Sequence, residues 1–200
     1  MHNIPIKTTS SDNMSVIEAI YQRRAVRNFT NDKTSRELIL QLLDAAVQAP
    51  TAMHEEPWEF LIIQDPSVLQ RISEASKKAF SELPPPPIPS ASKMHQHFTS
   101  PDFSIFYNAP SLILICAKPV GEFATADCWL AAENLMLAAC GHGLATCVIG
   151  FAVPTLNTIE WKKELGIPAE FQVVAPIILG LAAEKAAPVA RKEAIILGWL

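Results

Sequence analysis

Glycine is scarce in this chain, seven residues in 200, and no G-x-G-x-x-G follows the first apolar strand candidate. That argues against a Rossmann dinucleotide fold. Cysteine is equally sparse. Cys116, Cys128, Cys140 and Cys147 form no C-x-x-C pair and stand in apolar surroundings, where a free thiol behaves as a small hydrophobe; a reduced cytoplasm is the expected setting. Charge is low, 18% of residues, and the balance of 16 basic against 20 acidic groups leaves −4, so neither nucleic acid nor an acidic membrane is an expected partner. No clean apolar run of roughly 20 residues exists to span a bilayer, because Cys128 to Val153 is broken by Glu133, Asn134, Gly141, His142 and Gly143. Met1 to Asn13 lacks the charged start and apolar centre of an export signal. Ser111 is outside any G-x-S-x-G, which removes the hydrolase reading, and the pair His95 and His97 has no carboxylate and cysteine pattern around it, so no metal is expected.

Apolar material is what the chain has in quantity. Half of its residues are hydrophobic and the mean hydropathy is +0.20, which excludes disorder and points to a buried subunit surface. Residues 1–200 are long enough for a single domain with a real core. Ser15 with Glu18 makes a capping box, and Val16, Ile17, Ile20 and Tyr21 follow on one helical face. Thr34 with Glu37 repeats that signal for a second helix, carried by Leu38, Leu42, Ala45, Ala46 and Ala49 and stopped at Pro50. Trp58 to Ile63 reads as a strand, and Asp65 and Pro66 open a third helix with Val68, Leu69, Ile72, Ala75 and Ala79 inward. Residues 81–101 are proline-rich and read as an extended excursion.

Ser111 to Ala117 then reads as a strand buried on both faces, Ala124 to Cys140 as a nearly all-apolar helix closed by Gly141, and Leu144 to Ile149 as a short strand. A helix through Leu156, Ile159 and Leu165 ends at Gly166. Phe171 to Leu181 is the last strand, where Pro176 removes a ladder donor and predicts an edge or a bulge. The apolar end, Ala194 to Leu200, calls for a surface to pack on. Trp58, Trp129, Trp161 and Trp199 are read as packing anchors, Trp199 at an interface. Helices and strands alternate without regular βαβ spacing, so the expected class is α+β, a central sheet with a helical layer.

Three segments could carry chemistry. Arg23-Arg24-Ala25-Val26-Arg27 puts three guanidinium groups within five residues, a match to phosphate oxygens or a solvated helix end meeting the macrodipole. Ala49 to Trp58 is a short polar loop suited to a flat polar ligand edge, or a plain connection. Gly141 to Gly150 permits close backbone approach, or caps a helix.

Taken in order, these segments resemble the FMN-dependent nitroreductase family. The resemblance runs from about Ser15 to Arg191 and rests on RRAVRNF at Arg23 to Phe29, APTAMHEEPWEF at Ala49 to Phe60, NAP at Asn108 to Pro110, AAENLMLAACGHGLATCVIG at Ala131 to Gly150, LGIP at Leu165 to Pro168, and the late strand ending at Gly180. It implies a sandwich with a central, mainly antiparallel sheet flanked by helices, intertwined as a homodimer with FMN at the subunit interface. It implies that Arg23, Arg24 and Arg27 hold the FMN phosphate and ribityl or pyrimidine oxygens, with Arg191 approaching from the tail. Pro50, Thr51, Ala52 and His54 would line the flavin from the other subunit, and Ile149 and Gly150 would present backbone N–H groups to it. The implied activity is two-electron transfer from NADH or NADPH to a nitroaromatic, quinone or related acceptor by ping-pong turnover, with no catalytic side chain; a flavin-binding or storage protein is the alternative. Ala25 stands where the family commonly has serine, at a loss of about 1 kcal/mol for one hydroxyl bond. His54 and Glu56 replace its N-x-Q loop.

Overall fold

The computed structural model describes residues 14–82, 98, 100 and 103–200. His95, His97 and most of the proline-rich excursion lie outside the described residues. The elements are α1 (Val16–Gln22), α2 (Arg36–Ala46), β1 (Trp58–Ile63), α3 (Pro66–Ser81), β2 (Ser111–Ala117), α4 (Ala124–Gly141), β3 (Ala145–Val148), α5 (Val153–Leu156), α6 (Ile159–Leu165) and β4 (Gln172–Gly180). The sheet order is β1-β2-β4-β3, and each neighbouring pair is antiparallel. The class is α+β, as expected.

Two apolar layers sandwich the sheet. β2 alternates with period 2: Ile113, Ile115 and Ala117 face α2 and α4 through Leu42, Ala46, Cys128 and Leu135, whereas Leu112, Leu114 and Cys116 face α3 and α5 through Ile72 and Leu156, with Phe106. In β4 the alternation slips. Ile115 opposes Ala175 while Cys116 opposes Val173, so Val174 is an extra residue, and Val174 and Ala175 both enter the first layer. This is a bulge. The edge reading of Pro176 is corrected, since β4 lies between β2 and β3; the bulge beside Pro176 accommodates the missing donor.

Several boundaries move for identifiable reasons. The box at α1 forms, with Glu18 N–H donating to Ser15 Oγ at 3.2 Å and Ser15 N–H donating to Glu18 Oε2 at 2.8 Å. At α2 the cap is Ser35, whose Oγ accepts from Leu38 N–H at 3.2 Å, and not Thr34, which is buried with its carbonyl oxygen accepting from Gln64 Nε2 at 2.9 Å. The helix ends at Ala46, ahead of Pro50. On α3, Ala75 is half-buried and Ala79 exposed, while Ser73 and Ser76 are buried. The expected helix through Leu156, Ile159 and Leu165 is two short helices, with Ile159 exposed at the start of the second.

Much apolar surface is left outside the two layers. Val16, Ile17, Ile20 and Tyr21 are exposed on α1, as are Phe123, Trp129 and Leu130 at the start of α4 and Ile195, Ile196, Leu197, Trp199 and Leu200 on a tail without regular structure. Trp199, 88% exposed, is therefore no packing anchor among the described residues, and Trp129 is only partly covered. Among the described residues, no helix is long and apolar enough to cross a membrane.

Candidate functional site

Arg23 is where α1 stops. Its backbone N–H still donates to Ala19 O, but its φ and ψ of −54° and 132° turn the chain into an extended path. That path adds to the free side of β3: Val26 N–H donates to Thr146 O at 3.1 Å, and Ala25 pairs with Thr146 in parallel. Phe29, 5% exposed, then bridges Ala182 beyond the end of β4. Arg23 and Arg24 thus stand at the helix end, and Arg27 follows the pairing of Ala25 and Val26 with β3.

Their side chains differ in surroundings. Arg24 Nη1 donates to the carbonyl oxygens of Tyr21 and Arg23, both at 2.7 Å, which is the helix-end role in part. Its Nε is buried and has no hydrogen-bond acceptor, and the same holds for Arg23 Nε. Arg23 Nε does lie 3.3 Å from Glu133 Oε1 on α4, an ion pair without hydrogen-bond geometry. A buried N–H left unmatched costs about 1–3 kcal/mol; Arg24 has no carboxylate beside it, and Arg23 has one that is out of line for a hydrogen bond. Arg27 holds its Cζ 6.0 Å from the centre of the Tyr107 ring.

Arg27, Tyr107, Cys147, Ile149, Gly150 and Phe151 line a cavity of about 240 Å³ together with Phe98, Phe103, Ile105 and Val148. Burial pushes the Tyr107 hydroxyl up, against the pull of Arg27, and pushes the Cys147 thiol up against Arg27 and Arg23. Ile149 is buried, and its N–H donates to Pro176 O at 2.8 Å. That N–H is committed within the chain. Gly150 opens a short 3-10 turn over 150–152, and a Cβ placed on it would meet no heavy atom within 4 Å.

The loop after α2 sits elsewhere. Pro50 is exposed, Thr51 and Ala52 are half-buried, and His54 is exposed. Met53, His54 and Glu56 have φ of 54°, 57° and 43°, the left-handed region that non-glycine residues seldom occupy. Ala52 N–H donates to Asp127 Oδ2 at 3.1 Å, in the first turn of α4. Asp127 and Glu133 are six residues apart, about 9 Å along the helix and some 120° around it, so the loop and the arginines address different faces of α4. Glu56 is exposed and pairs with no cation among the described residues. Arg191 lies on the exposed tail with no hydrogen bond or ion pair among the described residues.

The chain therefore brings Arg27, Ile149 and Gly150 together around one cavity, with Arg23 and Arg24 just before Arg27 in the chain, while the Pro50 to His54 loop meets another face of α4 and Arg191 stands on the exposed tail. Sequence reasoning missed Tyr107 and Phe151, which carry no local signal, and Asp127 and Glu133. Those two acids stood out as charges within a nearly all-apolar helix and could have been questioned on that ground.

Residues 20–181 match the family model described as Nitroreductase family. In sequence the chain is 28% identical over 200 residues to nitrobenzene nitroreductase of Ectopseudomonas oleovorans, covering 82% of this chain and 86% of that protein. It is 25% identical over 182 residues to iodotyrosine deiodinase of Thermotoga neapolitana, covering 88% and 92%. Its fold is similar to a nitroreductase with bound FMN from Bacteroides fragilis, with a TM-score of 0.75 at 27% identity, covering 94% of this chain and 97% of that one.

Proposed function

Because the chain belongs to the nitroreductase family through residues 20–181, we propose that it is an FMN-dependent oxidoreductase that passes two electrons from NADH or NADPH to a small-molecule acceptor, a nitroaromatic, quinone or related compound. The observation that carries this reading is the cluster of Arg23, Arg24 and Arg27 on the segment that joins β3 through Ala25 and Val26, with the Nε of Arg24 and of Arg23 making no hydrogen bond and Arg23 held only by an out-of-line ion pair with Glu133. A phosphate monoester offers oxygens to both, and the donor set is of the right sign and shape for it. Bound FMN supplies a two-electron redox centre that a reduced nicotinamide reduces and an acceptor reoxidises.

The chain's own residues bind and orient. Arg23 and Arg24 take the phosphate. Arg27, held beside Tyr107, places a fixed positive charge where a reduced, anionic ring system would need one. Gly150, whose Cβ side is open, lets a flat ligand approach the backbone, and the buried Ile149 floors that approach. Ala25 contributes no hydroxyl, and the arginines on either side offset it. Donor and acceptor use one place in turn, which makes turnover ping-pong.

The active form in this reading is a homodimer. The exposed apolar faces of α1 and the first turns of α4, with the apolar tail, have the composition of a subunit interface. The separation of the Pro50 to His54 loop from the arginines fits a site completed by the partner's loop, with Arg191 brought in by the tail. The similarity to an iodotyrosine deiodinase favours reductive dehalogenation as the second reading of the acceptor step.

The test is an absorbance spectrum of the protein after loading with FMN and removal of excess, followed by anaerobic addition of NADH or NADPH. The expected result is about one flavin per subunit, bleached by a nicotinamide and restored by a nitroaromatic, a quinone or a halophenol. Retained flavin that neither nicotinamide bleaches would replace the reductase with a flavin-storage protein. No retained flavin would overturn both.

A further inference from the structure

Asp127 is 5% exposed in a helix whose other buried residues are Ala124, Cys128, Ala131, Ala132, Leu135, Met136 and Ala139. A carboxylate in that company is costly unless something compensates it. No cation pairs with it among the described residues. Two things do compensate. It stands in the first turn of α4, where the free N–H groups favour negative charge, and its Oδ2 accepts from Ala52 N–H at 3.1 Å across 75 residues of sequence.

The other end of that bond is a strained segment. Ala52 begins the turn Ala52–His54, and the residues after it, Met53 and His54, have φ of 54° and 57°. Such a backbone persists only when its surroundings hold it. Inside the loop the ties are local: Glu55 N–H donates to Ala52 O at 3.1 Å and Glu56 N–H to Thr51 Oγ1 at 3.4 Å. From outside, between Pro50 and Glu56, the Asp127 carboxylate makes the single hydrogen bond among the described residues.

We infer that Asp127 is a positioning residue of the cofactor site: from within α4 it holds the turn at Ala52, and with it Thr51 and His54, in the shape that meets the ligand. This rests on the reading of the site as an FMN site. It assigns Asp127 no contact with cofactor or substrate.

The test compares Asp127→Ala, which removes the acceptor, with Asp127→Asn, which keeps an oxygen in its place. Two quantities are read, amide hydrogen exchange across residues 50–57 of the protein without ligand, and the Kd for FMN by fluorescence titration. Asp127→Ala is expected to speed exchange in the segment at least tenfold and raise the FMN Kd at least tenfold. Asp127→Asn should keep both within about threefold of the parent. A purely structural role would move overall melting and leave the two variants alike. If Asp127→Ala does not fold, Asp127→Ser, whose shorter side chain does not reach Ala52, takes its place. Unchanged exchange and Kd in the truncated variant overturn the inference, as does an Asn variant as impaired as the Ala one. If the parent binds no FMN, the functional reading fails by itself, and the exchange experiment still decides whether Asp127 holds the loop.

Discussion

Gly180 ends β4 at the point where the arginine segment returns to the sheet, and replacing it with alanine tests that packing directly. A methyl carbon built there would lie 2.8 Å from Pro110 Cδ, 3.1 Å from Pro110 Cγ and 3.2 Å from Phe29 Cδ1. Neither neighbour yields easily. The proline ring is rigid, and the backbone beside Phe29 is stitched down by Thr30 N–H donating to Leu181 O and Ala183 N–H donating to Asn28 O, both at 3.0 Å. An extra methyl in a filled site costs about 1–3 kcal/mol. At about 2–4 °C per kcal/mol for a chain of this size, Gly180→Ala should melt about 2–12 °C below the parent in scanning calorimetry. Because Phe29 is two residues from Arg27, FMN affinity should fall as well. The control is Gly141→Ala at the end of α4, where the added carbon meets nothing within 4 Å and alanine is the better helix former by up to about 1 kcal/mol; it should melt at or above the parent. A Gly180→Ala protein with the parent's melting temperature, or a Gly141→Ala protein that falls as far, would refute the contact between Gly180, Pro110 and Phe29.

Thiol titration with an aromatic disulfide at pH 8 should find Cys140, the half-buried one, reacting in the native protein. Cys116, Cys128 and Cys147, all buried, should react only on unfolding, since burial pushes Cys116 up to about 11 and Cys128 up to about 12 and keeps them protonated; two or more fast thiols would contradict this. The Asp65 carboxylate, accepting from Ser67 N–H at 2.8 Å and Ser67 Oγ–H at 2.7 Å, is held below its ordinary 3.8. Its contribution is therefore present above that ordinary value and lost as pH falls through the lower folded one. Asp65→Ala should be less stable than the parent at pH 7, with the gap in denaturation midpoints closing below about pH 4; a gap that persists in acid would refute the cap.

What could be read along the chain was local. The Ser15 box, the proline at the start of α3, the period-2 alternation of β2 and the left-handed stop at Gly166, with φ of 69°, each depend on residues within one turn or one strand of each other, and each appears. The arginine segment was legible for the same reason, because three guanidinium groups in five residues declare a charge requirement wherever the backbone goes. Where the backbone goes was not legible: the turn onto β3 depends on Val26 meeting Thr146, 120 positions away. Thr34 lost its cap for a similar cause, since Gln64 reaches its carbonyl. Pro176 could stay interior because the irregularity it needs is supplied one pairing away, at Val174, by a mismatch with β2 that one strand's sequence does not reveal.

The same division explains why α4 was read as core and nothing else. Seen alone, it is an apolar helix interrupted by two acids, and an acid on a helix is most simply a solvated one. Only the fold gives each a counterpart, Ala52 N–H for Asp127 and Arg23 for Glu133, and these lie on the two segments that sequence had already singled out for binding. A buried helix that spends a carboxylate on each of two distant loops is less a filler of the core than the element that sets the loops' places. That is why a substitution at Asp127, which no sequence motif nominates, is expected to act on the ligand through Ala52.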